Sequence, residues 1–262
     1  MMIVGFVMGF AIIIVKQLYG GLGYNPFNPA MAAYVFLLIS FPAEMSAWLP
    51  PAELNQNILS LGQTISVIFT GSLTWDAVTM ATPLDASKTE LGLNLTWSEI
   101  LSSPLYGSFA GHGWEWINTT FLIGGVWLWQ KRAIDWRIPL GMLSALFLVS
   151  LLFYIADADS FGSPIFHLFS GASMIAAFFI ATDLVTSPVS VRGQLLFGAG
   201  CGLFIFVIRT WAGYPEGVAF AIMLMNACTP LIDHYFKPRI YGRDRRGEPL
   251  NYEQNEKPGS GA

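Results

Sequence analysis

Residues 138–155 read IPLGMLSALFLVSLLFYI, without a single charged side chain. A helix needs about 20 apolar residues to cross the hydrocarbon core of a bilayer, so this stretch predicts a transmembrane helix. The whole chain has the same character. Of its 262 residues 54% are hydrophobic and 11% charged, against about 25% charged in soluble domains. This composition argues against a soluble domain, and the 20 Phe, 9 Trp and 9 Tyr argue against a disordered chain.

Applied along the whole chain, the same criterion of length and apolar character predicts seven apolar segments. They lie near 2–18, 29–41, 117–130, 138–155, 165–182, 194–212 and 216–236. The second and third are short for a full crossing and adjoin Gly/Pro-rich sequence, which indicates helices that begin or end inside the protein. The first has neither a basic leader nor a cleavage site, so we interpret it as a retained helix rather than a signal peptide. The predicted fold is all-α: a polytopic transmembrane helix bundle with interrupted helices.

Charge divides the chain into four regions. We predict membrane helices over 1–41, an extracytoplasmic region over 42–116, a membrane helix bundle over 117–240 and a disordered cytoplasmic tail over 241–262. The long excursion is rich in acids, whereas the short linkers after the third and fifth segments and the tail carry Lys and Arg. The positive-inside bias therefore places the C-terminus in the cytoplasm. A formal net charge of -4 does not suggest a nucleic-acid partner.

Segments one and two weakly resemble segments six and seven. Residues 9–20, GFAIIIVKQLYG, echo residues 202–213, GLFIFVIRTWAG. An offset of five crossings would make the two copies run in opposite directions, which predicts inverted repeats whose interrupted helices meet near the bilayer midplane. Similarity of composition alone explains the echo equally well, and both interpretations stay open.

The loop sequence from Asp76 to Leu84, DAVTMATPL, is the most specific stretch outside the apolar segments. Pro83 biases Thr82 toward an extended backbone and leaves its hydroxyl on a loop, where it could accept an ester. Local chemistry alone favours an ordinary turn. Because no catalytic or cofactor motif of the common kinds is present and the three histidines are scattered, the sequence predicts neither catalytic residues nor a metal site.

Several long motifs in the same order carry a resemblance to a known family. They are residues 20–31 (GGLGYNPFNPAM), 76–82, 166–174 (FHLFSGASM), 178–183 (FFIATD) and 213–221 (GYPEGVAFA). Together they resemble the RnfD (RsxD) component of Rnf ion-translocating oxidoreductase complexes, a relative of the NqrB component of the sodium-pumping NADH:quinone reductase. The resemblance runs from about Gly9 to Gly242. Family members have further helices before the position where this chain begins.

The resemblance implies a bacterial inner-membrane protein with covalent FMN, in a six-subunit complex that couples electron transfer to Na⁺ or H⁺ translocation. A flavin transferase would attach FMN to Thr82 through a phosphoester, reading Asp76, Thr79 and Ala81 as the attachment motif. Relatives also hold a second, non-covalent flavin. The chain would be an electron-transfer component embedded in lipid, without a complete reaction of its own. The rival hypothesis is a small-solute or ion transporter without a redox cofactor, suggested by the broken helices and the repeat.

Charged side chains within apolar segments need a partner or a purpose. Lys16 and Arg209 lie at segment ends, where we expect them to reach the interface. We expect Asp183 to cap the turn that follows it, with contact to a translocated cation as the alternative. For Glu115 the alternatives are support of a helix N-terminus and contact with the flavin. The polar break at Asn25 and Asn28 predicts either an interfacial turn or the border of an ion or cofactor site.

Overall fold

The computed structural model describes residues 2–21, 23–46, 48–49, 51, 54, 60–70 and 79–236. Over these ranges the chain is a bundle of helices, and strand pairing is confined to two isolated bridges. The predicted all-α fold is confirmed. Asp76 and the tail 241–262 lie outside the described residues.

The first two segments form a helical hairpin. Helix α1, Met2–Gly9, continues as a π-helix over Phe10–Leu18, and α2 spans Pro29–Ser40. The side chain of Asn28 accepts two backbone N–H groups of the first turn of α2, and Pro29 supplies the fixed φ that suits the first helical position. The two arms pack through small buried side chains such as Ala11 and Ala33.

In the described part of the predicted extracytoplasmic region, four short helices follow: α3 Pro42–Ser46, α4 Leu61–Thr70, α5 Pro83–Gly92 and α6 Trp97–Ile100. Thr82 is the N-cap of α5, and its hydroxyl oxygen accepts the N–H of Asp85 at 3.2 Å. Leu84 and Trp97 pack against Phe166 in a small core that joins these helices to the membrane bundle.

The remaining helices are α7 Trp114–Gln130, α8 Arg137–Ala156, α9 Pro164–Phe169, α10 Ser173–Ile175, α11 Val191–Trp211 and α12 Val218–Tyr235. Each of the seven predicted segments is therefore helical. Helices α8 and α11 are long and apolar enough to span a membrane. They form the centre of the bundle, where Met142, Leu146 and Phe197 are completely buried.

The fifth segment is interrupted rather than one continuous helix, in agreement with a bundle of interrupted helices, although the sequence did not locate this break. Helix α9 ends at Phe169, and α10 begins at Ser173 and continues as a π-helix over Ala176–Ile180. Between the two pieces Gly171 has φ +59°, a left-handed conformation that favours glycine. The chain therefore exposes backbone N–H and C=O groups in the middle of an apolar segment.

Two glycines on α11 let it approach α8 closely. A Cβ atom on Gly198 would overlap the carbonyl oxygen of Ile138, and one on Gly202 would overlap that of Met142. The spacing of four residues is the small-xxx-small pattern that brings membrane helices into backbone contact. Packing of these two helices therefore depends on the absence of side chains at both positions.

The bundle has two chemically different ends. At one end the N–H of Trp97 donates to the carbonyl of Asp159 at 2.8 Å, which joins the acidic loop after α8 to the excursion. At the other end Asn28 and Asp183 lie side by side, and Arg192 lies in the first turn of α11. The 21 residues of α11 separate the two ends by about 30 Å, close to the thickness of a bilayer core.

We expect Gly202→Ala to lower the free energy of unfolding by about 1–3 kcal/mol, because the added methyl group forces α11 away from the backbone of α8. Titration of the purified protein with a denaturing detergent measures this. Gly9→Ala is the matched control, since a Cβ atom there meets nothing within 4 Å. Equal stability of the two variants would contradict close packing at Gly202.

Candidate functional site

Thr82 lies half-buried at the edge of a large cavity. The neighbouring motif residues Thr79 and Ala81 are exposed, and Met80 between them donates its N–H to the carbonyl of Trp48 at 2.8 Å. Of the predicted attachment motif, the structure thus places three residues together in an extended segment just before α5. The position of Thr82 at a helix N-terminus also favours a negatively charged substituent there.

The cavity has a volume of about 650 Å³, within the usual range of about 300–1,000 Å³ for small-molecule sites. Its walls are mostly apolar and come from α2, the start of α7, the broken fifth segment and the loop between α11 and α12. Side chains that face it include Tyr34, Leu38, Trp48, Trp114, Ile175 and Tyr214. The charged side chains among the lining residues are Asp85 and Glu216.

Three side chains satisfy the backbone groups exposed by the helix break. Arg209 of α11 donates to the carbonyl of His167 at 2.8 Å and to that of Ser170 at 3.1 Å. Asn118 of α7 donates to the carbonyl of Phe169 at 2.8 Å and to that of Gly171 at 3.1 Å. The end of α9 is therefore capped from two sides.

Glu216 is the third of these side chains. It binds backbone N–H groups, whereas Arg209 and Asn118 bind carbonyls. Its carboxylate accepts the N–H of Ala172 at 2.8 Å and the N–H of Val218 at 3.2 Å. It also accepts a hydrogen bond from Arg209 at 3.0 Å, which neutralises both charges. A Cβ atom on Gly171 would overlap this carboxylate, so glycine is required there for contact as well as for its backbone angle.

The expectation that Arg209 reaches the membrane interface is wrong. Its side chain is only 2% exposed and turns inward, where it pairs with Glu216 and donates to carbonyls of the broken helix. Lys16, at the corresponding position in the sequence echo, is half-buried on the π-helix. The two positions therefore have different environments despite their similar sequences.

Asp183 caps the turn that follows it, as expected. Its carboxylate accepts the N–H of Val185 at 3.3 Å and the hydroxyl of Thr186 at 3.2 Å. The amide of Asn28 lies 3.5 Å from the same carboxylate, which brings the polar break before α2 to the end of the fifth segment. The Asn25–Asn28 break thus contacts another loop within the bundle, and an ion site there stays a prediction.

Glu115 lies in the first turn of α7, as expected for support of a helix N-terminus. Its carboxylate also accepts the N–H groups of Phe109 at 2.7 Å and Ala110 at 2.9 Å. It therefore fixes the loop that precedes the helix.

His167 is a buried core residue whose ring packs edge-on against Phe206, with 5.2 Å between the ring centres.

Two residues that the sequence did not single out anchor α5. The hydroxyl of buried Tyr106 donates to the carbonyl of Pro83 at 3.1 Å, and burial raises the pKa of this phenol. Lys88 reaches from α5 to backbone carbonyls at the end of α11. Burial lowers the pKa of Lys88, and the nearby Asp85 opposes that shift. The isolated position of Lys88 within an acidic region was the signal that could have identified it.

Comparison with known proteins gives consistent relationships. The family described as NQR2, RnfD, RnfE matches residues 1–242. A relative from Aliivibrio salmonicida (strain LFI1238), named as the D component of an ion-translocating oxidoreductase complex, is 52% identical over 247 residues, which cover 90% of this chain and 70% of the relative. Relatives of the same name from Shewanella sediminis (strain HAW-EB3) and Vibrio vulnificus (strain YJ016) are each 50% identical, over 69% and 71% of their lengths.

We expect Arg209→Met to lower the free energy of unfolding by about 3–5 kcal/mol, because it leaves the Glu216 carboxylate without its cation inside the bundle and two carbonyls without donors. Detergent titration measures the loss. Lys16→Met, which removes a positive charge from the corresponding position of the sequence echo, is expected to change stability far less. Similar losses in the two variants would contradict a special role of Arg209 at the break.

Proposed function

The chain belongs to the NQR2, RnfD, RnfE family, and on this premise we propose that it is a membrane component of an ion-translocating oxidoreductase complex that carries FMN on Thr82. The observation that supports the proposal most directly is the position of the Thr82 hydroxyl, at the N-terminus of α5 and at the edge of a cavity of ligand size. A phosphoester at this oxygen would attach one end of a flavin beside the cavity.

The residues around the cavity fit a flavin. Its mostly apolar walls and the indoles of Trp48 and Trp114, whose ring centres lie 5.7 Å apart, suit a flat aromatic ring system. The phosphate would lie near the first N–H groups of α5, whose dipole favours negative charge. The acid Asp85 opposes that charge, so the backbone of α5 and solvent would have to offset it.

Bound FMN would supply one- or two-electron transfer, with its potential set by the surrounding protein. The protein's own residues hold the site in shape. Tyr106 anchors the start of α5, and the pair of Arg209 and Glu216 holds the broken segment against the loop between α11 and α12. Cation movement, as Na⁺ or H⁺, would take place in the assembled six-subunit complex within the bacterial inner membrane. A second, non-covalent flavin is part of the same proposal.

We expect wild-type protein, co-expressed with a flavin transferase and then denatured, to give a fluorescent band under ultraviolet light. Thr82→Ala should abolish the fluorescence because it removes the only oxygen available at that position for the ester. Thr89→Ala, an exposed threonine on the same helix, is the control and should stay fluorescent. Intact-mass measurement of the peptide bearing Thr82 should show the added nucleotide.

A dark wild-type band, or equal fluorescence in Thr82→Ala, would contradict the flavin proposal. The rival function, a transporter without a redox cofactor, is supported by the interrupted fifth segment beside a large cavity. It would then become the preferred hypothesis. The experiment therefore separates the two functions directly.

We also propose that the Thr82 end of the bundle is extracytoplasmic and that the C-terminus is cytoplasmic. Lys131 and Arg137 flank the linker between α7 and α8, and Arg192 lies in the first turn of α11. These residues lie at the end that holds Asp183, away from Thr82. The positive-inside bias assigns the basic end to the cytoplasm.

A cysteine at exposed Ser108 should therefore react with an impermeant maleimide in intact cells, and a cysteine at exposed Val189 only after membrane rupture. The Cys228→Ala background removes the partly accessible native thiol, while Cys201 is buried. The two positions lie at opposite ends of the bundle and are matched controls for each other. The reverse pattern of labelling would invert the proposed orientation.

A further inference from the structure

The ammonium group of Lys88 lies at the C-terminus of α11. It donates to the carbonyls of Arg209 at 3.0 Å, Tyr214 at 3.2 Å and Ile208 at 3.5 Å, and also to that of Ala212. One side chain of the extracytoplasmic region thus contacts four backbone carbonyls that belong to the membrane bundle and the loop after it.

The end of α11 is a place where a cation is stabilised. The last carbonyls of a helix have no intrahelical donors, and the helix dipole gives that end a partial negative charge. Ala212 is the C-cap residue, so its carbonyl and that of Arg209 are such groups, whereas the carbonyl of Ile208 already accepts the N–H of Ala212. Lysine side chains near a helix C-terminus commonly satisfy them. Lys88 does so from another helix. Its hydrogen bonds to these carbonyls therefore form a tie between α5 and α11.

The tie is close to Thr82. Lys88 lies six residues after Thr82 on α5, about 9 Å along the helix axis. The other polar anchor of α5, the hydroxyl of Tyr106, holds the carbonyl of Pro83 within the extracytoplasmic region itself. Lys88 is therefore the polar link from α5 to α11. It binds the backbone of Arg209, the residue whose side chain closes the helix break.

We propose that Lys88 is a positioning residue for the group carried at Thr82, because its contacts with the end of α11 fix the direction of α5 relative to the cavity. The inference rests on the proposed function for the identity of that group. Lys88 would contact neither the ring system nor the ester. Its effect would be to hold the helix N-terminus, and whatever Thr82 carries, against the cavity mouth.

The position of α5 can be measured without any cofactor. Spin labels at Thr89→Cys on α5 and Leu148→Cys on the exposed face of α8 report the distance between the two elements by pulsed electron resonance in the Cys228→Ala background. In Lys88→Met we expect a second, broader distance population, with the detached form raised roughly tenfold, as loss of a charged hydrogen bond produces. Lys88→Arg should keep the single wild-type distance, and Lys131→Met, at the other end of the bundle, is the control.

A second measurement follows the flavin on Thr82 in the folded protein. Lys88→Met should still receive FMN, because Thr82 is intact, but iodide should quench its fluorescence more strongly and its midpoint potential should shift. Lys88→Arg should restore both values. If Lys88 only stabilised the fold, Lys88→Met would lower stability without changing the iodide quenching or the midpoint potential in a way that Lys88→Arg reverses.

The outcomes separate the two proposals. An unchanged distance distribution in Lys88→Met overturns the positioning role, whatever Thr82 carries. A broadened distribution in Lys88→Met supports the tie, and if the wild-type protein also stays without flavin after co-expression with the flavin transferase, the proposed function alone is contradicted. If Lys88→Met does not fold, Lys88→Gln, which keeps one donor, must show the broadened distribution in its place; a wild-type distribution there also overturns the proposal.

Discussion

The hydrogen bonds that Arg209, Asn118 and Glu216 make to the interrupted fifth segment are the interaction on which the site depends. Hydrocarbon offers no partner for exposed backbone groups, so a break inside a membrane segment persists only when protein side chains replace the missing helical bonds. Here the donors meet the carbonyls of His167, Phe169, Ser170 and Gly171, and the carboxylate meets the N–H of Ala172. Because the arginine and the glutamate neutralise each other, the two charges are tolerated together inside the bundle.

The same contacts connect the break to the rest of the site. Glu216 belongs to the loop between α11 and α12, and Gly171 and Ala172 line the cavity beside Thr82. Leu84 of α5 packs close to Gly171, while Lys88 holds the backbone at the end of α11. The cavity mouth, the helix that Thr82 caps and the broken segment are therefore fixed relative to one another by a few residues from α5, α7 and α11.

The sequence predicted the architecture well because its signal is local. Runs such as 138–155 need only be counted to predict a crossing, and the apolar segment predicted to begin near residue 29 does begin at Pro29, after the N-cap Asn28. The break at Gly171 escaped prediction because residues 165–182 are predominantly apolar; the Ser170-Gly171 pair, a common turn signal, is the local feature that could have indicated it. The roles of Arg209, Asn118 and Lys88 escaped for a different reason. Their partners are backbone atoms far away in the chain, and backbone atoms have no sequence signature.

The close contact between α8 and α11 restricts how the molecule can move. Gly198 and Gly202 bring the helix backbones together so tightly that neither can rotate or slide past the other without first separating. We therefore expect the pair to move as a rigid body. Any conformational cycle that accompanies ion transport must use its hinges elsewhere, and the segment broken at Gly171 and the π-helix after α1 are the elements with irregular hydrogen bonding.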